Sequence, residues 1–253
     1  ANDSVPNDLW INRNGSRFVN EGLLSGTALN REGRREAGMG VALGDVDADG
    51  RPDLLVTNYY GETNTLYRNE GGGLFLDITD EFGLAGPSRL QLGFGISLFD
   101  FDNDGWLDLF VANGHVHDRL KMLDRDEPFA QPPQLFRNQT GQRFNDVSRS
   151  SGPYFQRAVV GRSSAVADYD RDGRLDLAIG HLNSELVLLR NVSQQVEMTS
   201  LRIELVGVRC NRDAIGAVVE VLSQKRRLTR FRTAATGYLS CDEASLTIGI
   251  GET

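Results

Sequence analysis

Short apolar runs of four or five residues recur along this chain, each bounded by glycine, asparagine or aspartate. They read GVALG (40–44), LLVTN (54–58), GISLF (95–99), LFVAN (109–113), SAVA (164–167) and LAIGH (177–181). Runs this short, rich in aliphatic and β-branched residues and broken by glycine, predict strands and leave no room for helices. A second pattern alternates with them: LWINRNGSRFVNE (9–21), LYRNEGGGLFLDIT (66–79), LFRNQTGQRFNDVS (135–148) and the shorter LVLLRN (186–191). Strand, Asn/Gly-rich turn and a second strand carrying a Phe predict a hairpin, and an Arg-Asn pair stands in every copy.

Two hairpins per repeat make a four-stranded unit. Successive units begin 55 and then 68 residues apart, counted from Asp45 to Asp100 to Asp168. Four strands at such a period predict propeller blades. The longer second period is accounted for by one insertion, residues 114–134, between the two hairpins of its blade. The expected fold class is therefore all-β: an incomplete β-propeller over residues 1–192, made of three aspartate-loop hairpins and one leading outer hairpin. Residues 195–253 break the period, yet still alternate apolar and polar positions, and predict a separate small β domain.

The turns between the paired runs carry the candidate chemistry. DVDADGRPD supplies Asp45, Asp47, Asp49 and Asp53; DFDNDGWLD supplies Asp100, Asp102, Asp104 and Asp108; DYDRDGRLD supplies Asp168, Asp170, Asp172 and Asp176. The formal charge of the 253-residue chain is −8, and without these twelve aspartates it would be +4, so its acidity is local. Four carboxylates within nine residues repel one another unless a cation compensates them. Oxygen-only ligands select a hard cation, and flexible oxygen ligands suit calcium better than magnesium. About three calcium ions are expected, one per loop. The seventh position (Arg51, Trp106, Arg174) varies in side chain, as expected where the backbone carbonyl is the ligand. An EF-hand is excluded because its twelfth position, here Val56, Val111 or Ile179, must be a glutamate between helices.

The D-x-D-x-D-G-x-x-D loop between strands, with Gly38–Gly40 and Gly93–Gly95 ahead of it, resembles the FG-GAP/VCBS repeat, the calcium-binding repeat of integrin α-subunit propellers. The third copy lacks the second glycine. Residues 211–221 (NRDAIGAVVEV), 237–240 (GYLS) and 246–251 (LTIGIG) resemble the ASPIC/UnbV domain of the cartilage acidic protein-like family. The insertion, beginning NGHVHD and ending PPQLFRN, is similar to that family as well. That resemblance implies a propeller of about seven blades and a terminal domain running on past Thr253, so the chain is expected to be the C-terminal part of a longer protein.

Charge and composition narrow the function classes. No run approaches the 18 apolar residues of a membrane span. KRRLTRFR (225–232) reads as the solvated side of a hairpin, because residues 195–253 hold eight Lys/Arg against seven Asp/Glu, far from a nucleic-acid-binding balance. His115, His117 and His181 follow strands without ligand spacing for zinc. No nucleophile, zinc-protease or phosphate-loop motif is present. A Cys210–Cys241 disulfide is expected in the oxidising compartment that calcium repeats imply, and the sequons at Asn2, Asn14, Asn138 and Asn191 fit surface turns there. The reading is a secreted, extracellular or periplasmic, binding or adhesion module for a protein or glycan partner. The alternative is a secreted metal-dependent lyase or hydrolase acting on carbohydrate or a similar polar substrate. Recognition is expected on the insertion, with Asn58 and His181 beside it.

Overall fold

The computed structural model describes residues 1–193, 198–209, 211–222 and 226–252. Two complete four-stranded antiparallel sheets follow one another. The first runs β3 (Val41–Gly44), β4 (Asp53–Val56), β5 (Thr65–Gly71), β6 (Leu74–Asp77); the second runs β7 (Gly93–Phe99), β8 (Asp108–Asn113), β9 (Gln134–Asn138), β10 (Phe144–Asp146). A three-stranded sheet repeats the order with β11 (Gly161–Ala167), β12 (Asp176–His181) and β13 (Val187–Leu189). Ahead of them stands the isolated hairpin of β1 (Trp10–Arg13) and β2 (Arg17–Asn20), with Trp10 opposite Asn20. The molecule is all-β apart from single helical turns, in the blade arrangement of a β-propeller.

The blades stack face to face, and the strand pleat decides which residue enters which core. On β8, Leu109 and Val111 point into a core shared with the first blade, alongside Leu55, Leu66, Ile96 and Phe136. The intervening Phe110 and Ala112 enter a second core with the third blade, against Phe155, Val166, Leu177 and Ile179. A strand covered on both faces reads as a continuous apolar run, and LFVA is one. The paired glycines serve the same packing. A Cβ on Gly40 would collide with the carbonyl oxygen of Phe94, and one on Gly95 would sit 2.8 Å from the Ser163 carbonyl carbon. At these points the innermost strands of neighbouring blades are in close contact.

The terminal segment supplies β14 (Met198–Ile203), paired with β17 (Leu246–Glu252), and the hairpin of β15 (Val218–Leu222) with β16 (Arg227–Phe231). It lies against the blades. Between β16 and β17 the chain runs along the free edges of the innermost strands: Gly237 N–H donates to Val41 O (3.0 Å) and Glu243 N–H to Val166 O (3.0 Å). Side chains extend this edge, with Ser164 N–H donating to Ser240 Oγ (3.2 Å) and Val166 N–H to Asp242 Oδ1 (2.8 Å). The GYLS stretch thus satisfies edge groups that would otherwise lie open. Cys241 is a free, exposed thiol. Its expected disulfide partner, Cys210, lies outside the described residues.

Candidate metal centres

Each aspartate loop joins the innermost strand of a blade to the next, and all three fold alike. The first aspartate braces the turn: Asp45 accepts from Asp49 N–H and Gly50 N–H (both 3.0 Å), Asp100 from Asp104 N–H (3.1 Å) and Gly105 N–H (2.8 Å), Asp168 from Asp172 N–H and Gly173 N–H (both 3.0 Å). The turn needs two left-handed residues. Glycine fills the sixth position, but the fourth is Ala48 (φ 59°), Asn103 (φ 57°) or Arg171 (φ 60°), held against its steric preference by those bonds.

The closing aspartate sits at the start of the following strand and is locked from both sides. Asp53 accepts from Val46 N–H (3.0 Å) and Asn69 N–H (2.8 Å), Asp108 from Phe101 N–H (3.0 Å) and Asn138 N–H (2.8 Å), Asp176 from Tyr169 N–H (3.2 Å) and Asn191 N–H (2.7 Å). The three asparagines are those of the Arg-Asn pairs. Their side-chain amides also donate into the loops, to Pro52 O, Leu107 O and Leu175 O respectively. The pairs read from sequence only as hairpin markers are therefore part of the site. Their recurrence at one place in every repeat was the signal.

Of the four carboxylates expected in each site, three gather. Oxygens of Asp45, Asp47 and Asp53 lie within 4.8 Å of one another, as do those of Asp100, Asp102 and Asp108, and of Asp168, Asp170 and Asp176. The remaining aspartates lie outside these triads, next to arginines: Asp49 with Arg51, Asp104 with Arg137 (3.4 Å), and Asp172 with Arg174 and Arg190 (3.3 Å). At the seventh position Arg51 and Arg174 send Nε to the backbone oxygens of Asn69 (2.6 Å) and Asn191 (3.0 Å). Trp106 instead lies under the guanidinium of Arg226, 4.7 Å from its ring centre.

Burial acts on these acids strongly. It pushes Asp53 up to about 7, against the bonds from Asn69 and Val46. Burial also pushes Asp100 to about 7, with Arg230 opposing, and holds Asp108 well above the carboxylate range. Asp45, Asp47 and Asp176 are raised for the same reason. Arginine reaches two of the triads, Arg137 at Asp102 (2.7 Å) and Arg190 at Asp170 (2.6 Å), yet carboxylates outnumber these partners and a hard divalent cation fits the set: oxygen donors alone, converging and mostly buried.

The other singled-out residues fall differently. Arg230, expected on a solvated hairpin face, is only 8% exposed. Alternation along β16 turns it toward the second loop, where it donates to Gly105 O (3.1 Å). Asn58 is buried with its amide committed to Glu36, Thr63 O and Thr65, so it cannot face a ligand. His115 is fully buried; its Nδ1 accepts from His117 N–H (3.0 Å) and its Nε2 stands 3.1 Å from Glu127. His181 is held between Tyr154 OH (2.7 Å) and Glu185 O (2.8 Å). The sequon asparagine Asn138 is 1% exposed and structural, and the Asn191 amide is likewise engaged by Phe101 O and Leu175 O.

Two family models match the chain. The FG-GAP-like repeat covers residues 45–111, which contain the first two aspartate loops, and the ASPIC and UnbV model covers residues 207–253. The chain is an FG-GAP-like repeat protein with a C-terminal ASPIC and UnbV segment. It is similar to cartilage acidic protein 1 of Xenopus tropicalis, at 32% identity over 187 residues, which cover 71% of this chain and 26% of that protein. Cartilage acidic protein 1 of Homo sapiens is 29% identical over 186 residues, covering 71% of this chain and 25% of that protein. The chain thus spans about a quarter of the length of these relatives.

Proposed function

We propose that this chain is a calcium-stabilised extracellular module for binding or adhesion, with blades over residues 1–192 and an ASPIC/UnbV β domain over 195–253. The observation that carries the calcium reading is the threefold recurrence of a three-aspartate oxygen cluster within 4.8 Å, braced each time by the same backbone bonds. Asp45, Asp47 and Asp53 would hold the first ion, Asp100, Asp102 and Asp108 the second, and Asp168, Asp170 and Asp176 the third. Asp49, Asp104 and Asp172 and the carbonyls of Arg51, Trp106 and Arg174 complete the ligand sets by small movements of the loop. The ion supplies positive charge, while the chain supplies the fixed oxygens and the dry surroundings.

The role is structural and the partner is a protein or glycan. Support for an extracellular setting comes from the FG-GAP-like match and from relatives named for cartilage. The exposed parts of the insertion, residues 117–119 and 124–126, are the partner-facing element, without Asn58 and His181. Calorimetric titration of chelator-stripped protein with calcium should give about three equivalents. At about 100 times the dissociation constant each ion contributes about 2.7 kcal/mol, so chelator should lower the melting temperature and calcium should restore it. Zero equivalents, with an unchanged melt in chelator, would overturn the calcium reading.

A further inference from the structure

The three loops share one backbone but not one environment. Asp47 and Asp170, at the third position, are part-exposed and exposed, whereas Asp102 is 4% exposed. At the fourth position Ala48 is part-exposed and Arg171 exposed, whereas Asn103 is 6% exposed. The fifth repeats the trend: Asp49 and Asp172 are exposed and Asp104 is not. The bracing by the first and closing aspartates does not explain this, since those bonds are the same in all three loops.

Asp102 is covered by Arg137 of β9 (2.7 Å), and the Asn103 amide reaches Gly173 O of the third loop (3.0 Å); the rest of the cover comes from the ASPIC and UnbV strands. Arg226 donates to Asp104 O (2.5 Å) and spreads over the Trp106 ring, while Arg230 reaches Gly105 O from the next turn of the pleat. Gly251 N–H donates to Asn103 O (3.2 Å). Gly249 lies so close that a Cβ there would overlap Asp100 Oδ2 and the Asn103 backbone. The first loop meets this segment only marginally, with Gly50 4.0 Å from Thr229 by the same measure, and the third meets Ser200, whose hydroxyl donates to Gly173 O (2.7 Å).

We propose that the terminal strands make the second loop a captive cation site, from which an ion leaves only when β16 and β17 lift away, while the first and third loops exchange their ions freely. The inference rests on the calcium reading above and adds its regulation. The physical reason is access: a cation enclosed by backbone on both sides must wait for a local opening, and local openings of packed strands are costly. Linkage makes the effect mutual. If docking of the strands tightens the ion, the ion tightens docking by the same factor. Gly249 is then required at its position by the bound state of a loop 149 residues earlier in the chain (Asp100).

The test is stopped-flow release of calcium from the fully loaded chain into a fluorescent chelator. Two equivalents should leave in a fast phase and one at least about tenfold more slowly. D104N should remove the slow equivalent, and D172N a fast one. Gly249→Ala, which wedges β17 off the loop, should merge the slow phase into the fast phases. R226A, which strips only the cover over Trp106 and Asp104, should accelerate it with the fold intact, as judged by an unchanged β-sheet circular dichroism spectrum. Three equivalents leaving in one fast phase would overturn the captive site while the calcium reading stands. Two equivalents in the parent, with D104N removing neither, would also overturn it, because the arginines would then be the second loop's only counter-charge. No binding at all would mean that the calcium reading itself had failed.

Discussion

Asn138 joins two neighbouring loops with one side chain. Its amide donates to Val46 O of the first loop (2.9 Å) and to Leu107 O of the second (3.0 Å), while its backbone N–H holds Asp108. Asn191 repeats this between Phe101 O (2.7 Å) and Leu175 O (3.1 Å). Asn69 has only the loop of its own blade, through Pro52 O (3.0 Å). Each buried carbonyl left without a donor costs about 1–3 kcal/mol. Asn138→Ala should therefore destabilise the chain by roughly twice as much as Asn69→Ala in urea unfolding, and equal losses would refute the bridging role. The acids themselves predict a pH dependence. Asp53 and Asp100 titrate at about 7 in the fold, against roughly 3.9 in an unfolded chain. The folded, metal-free state binds the extra protons, so the stability they contribute is complete below the unfolded value and lost as pH rises through about 7. In chelator the melting temperature should fall between pH 5 and pH 8. In saturating calcium, which needs the ionised carboxylates, it should not. A melt independent of pH in chelator would show that these groups titrate normally.

Among the elements, β8 and the innermost strands β7 and β11 set the spacing of the blades. The glycines that let them approach have nowhere to put a methyl group. Gly95→Ala should push against Ser163 backbone and cost about 1–3 kcal/mol, the range for overpacking a filled core. Gly15→Ala, in the β1–β2 turn with nothing within 4 Å, should cost less and act only through its left-handed φ of 69°. Comparable losses from the two would remove the close-approach argument. The insertion behaves in the opposite way at its middle. Its ends are fixed by His115 N–H to Phe129 O (2.8 Å) and by the mutual bonds of Gln131 and Val159, whereas residues 117–119 and 124–126 are exposed. Replacing the exposed residues 117–119 and 124–126 with Gly and Ser, leaving buried Leu120 in place, should leave calcium stoichiometry unchanged and the melt within a few degrees while removing partner binding. Retained binding would shift attention to the terminal strands.

At the scale of the whole molecule, charge is the quantity that a cation changes most. Three divalent ions would move the formal charge from −8 to −2. Electrophoretic mobility toward the anode at pH 7 should drop by well over half on calcium loading, and D49N, D104N and D172N should each blunt that change. Unaltered mobility would mean that no ions are taken up. The same charge is distributed unevenly about the fold. Arg230, buried, faces Asp100, Asp45 and Asp108, and these oppose the lowering of its pKa that burial imposes. The terminal segment therefore does more than follow the blades. It contributes two arginines and two glycines to the cover of one loop and hydrogen-bonding groups to the inner edges of the first and third sheets.

Much of this was legible in residues alone, because the information is local. The D-x-D-x-D-G-x-x-D loops, the strands on either side of them and the four-strand repeat depend on side-chain period and turn chemistry within about ten residues. The triads follow from loop geometry that recurs wherever the motif does. Sequence also placed the insertion correctly between β8 and β9, since it is simply where the period lengthens. The tertiary fold decided whatever depends on residues far apart in the chain. It brought Arg137 to Asp102 and Asp104 from β9, and it buried Asn58 and His115 under neighbours that no spacing specifies. It also set Arg226 and Arg230, read as part of a solvated stripe, against the second loop. Net charge over a segment cannot reveal that last change, because alternation along β16 turns Arg230 inward and leaves Arg227 outward, and only the packing of the strand against the blades settles which face is which.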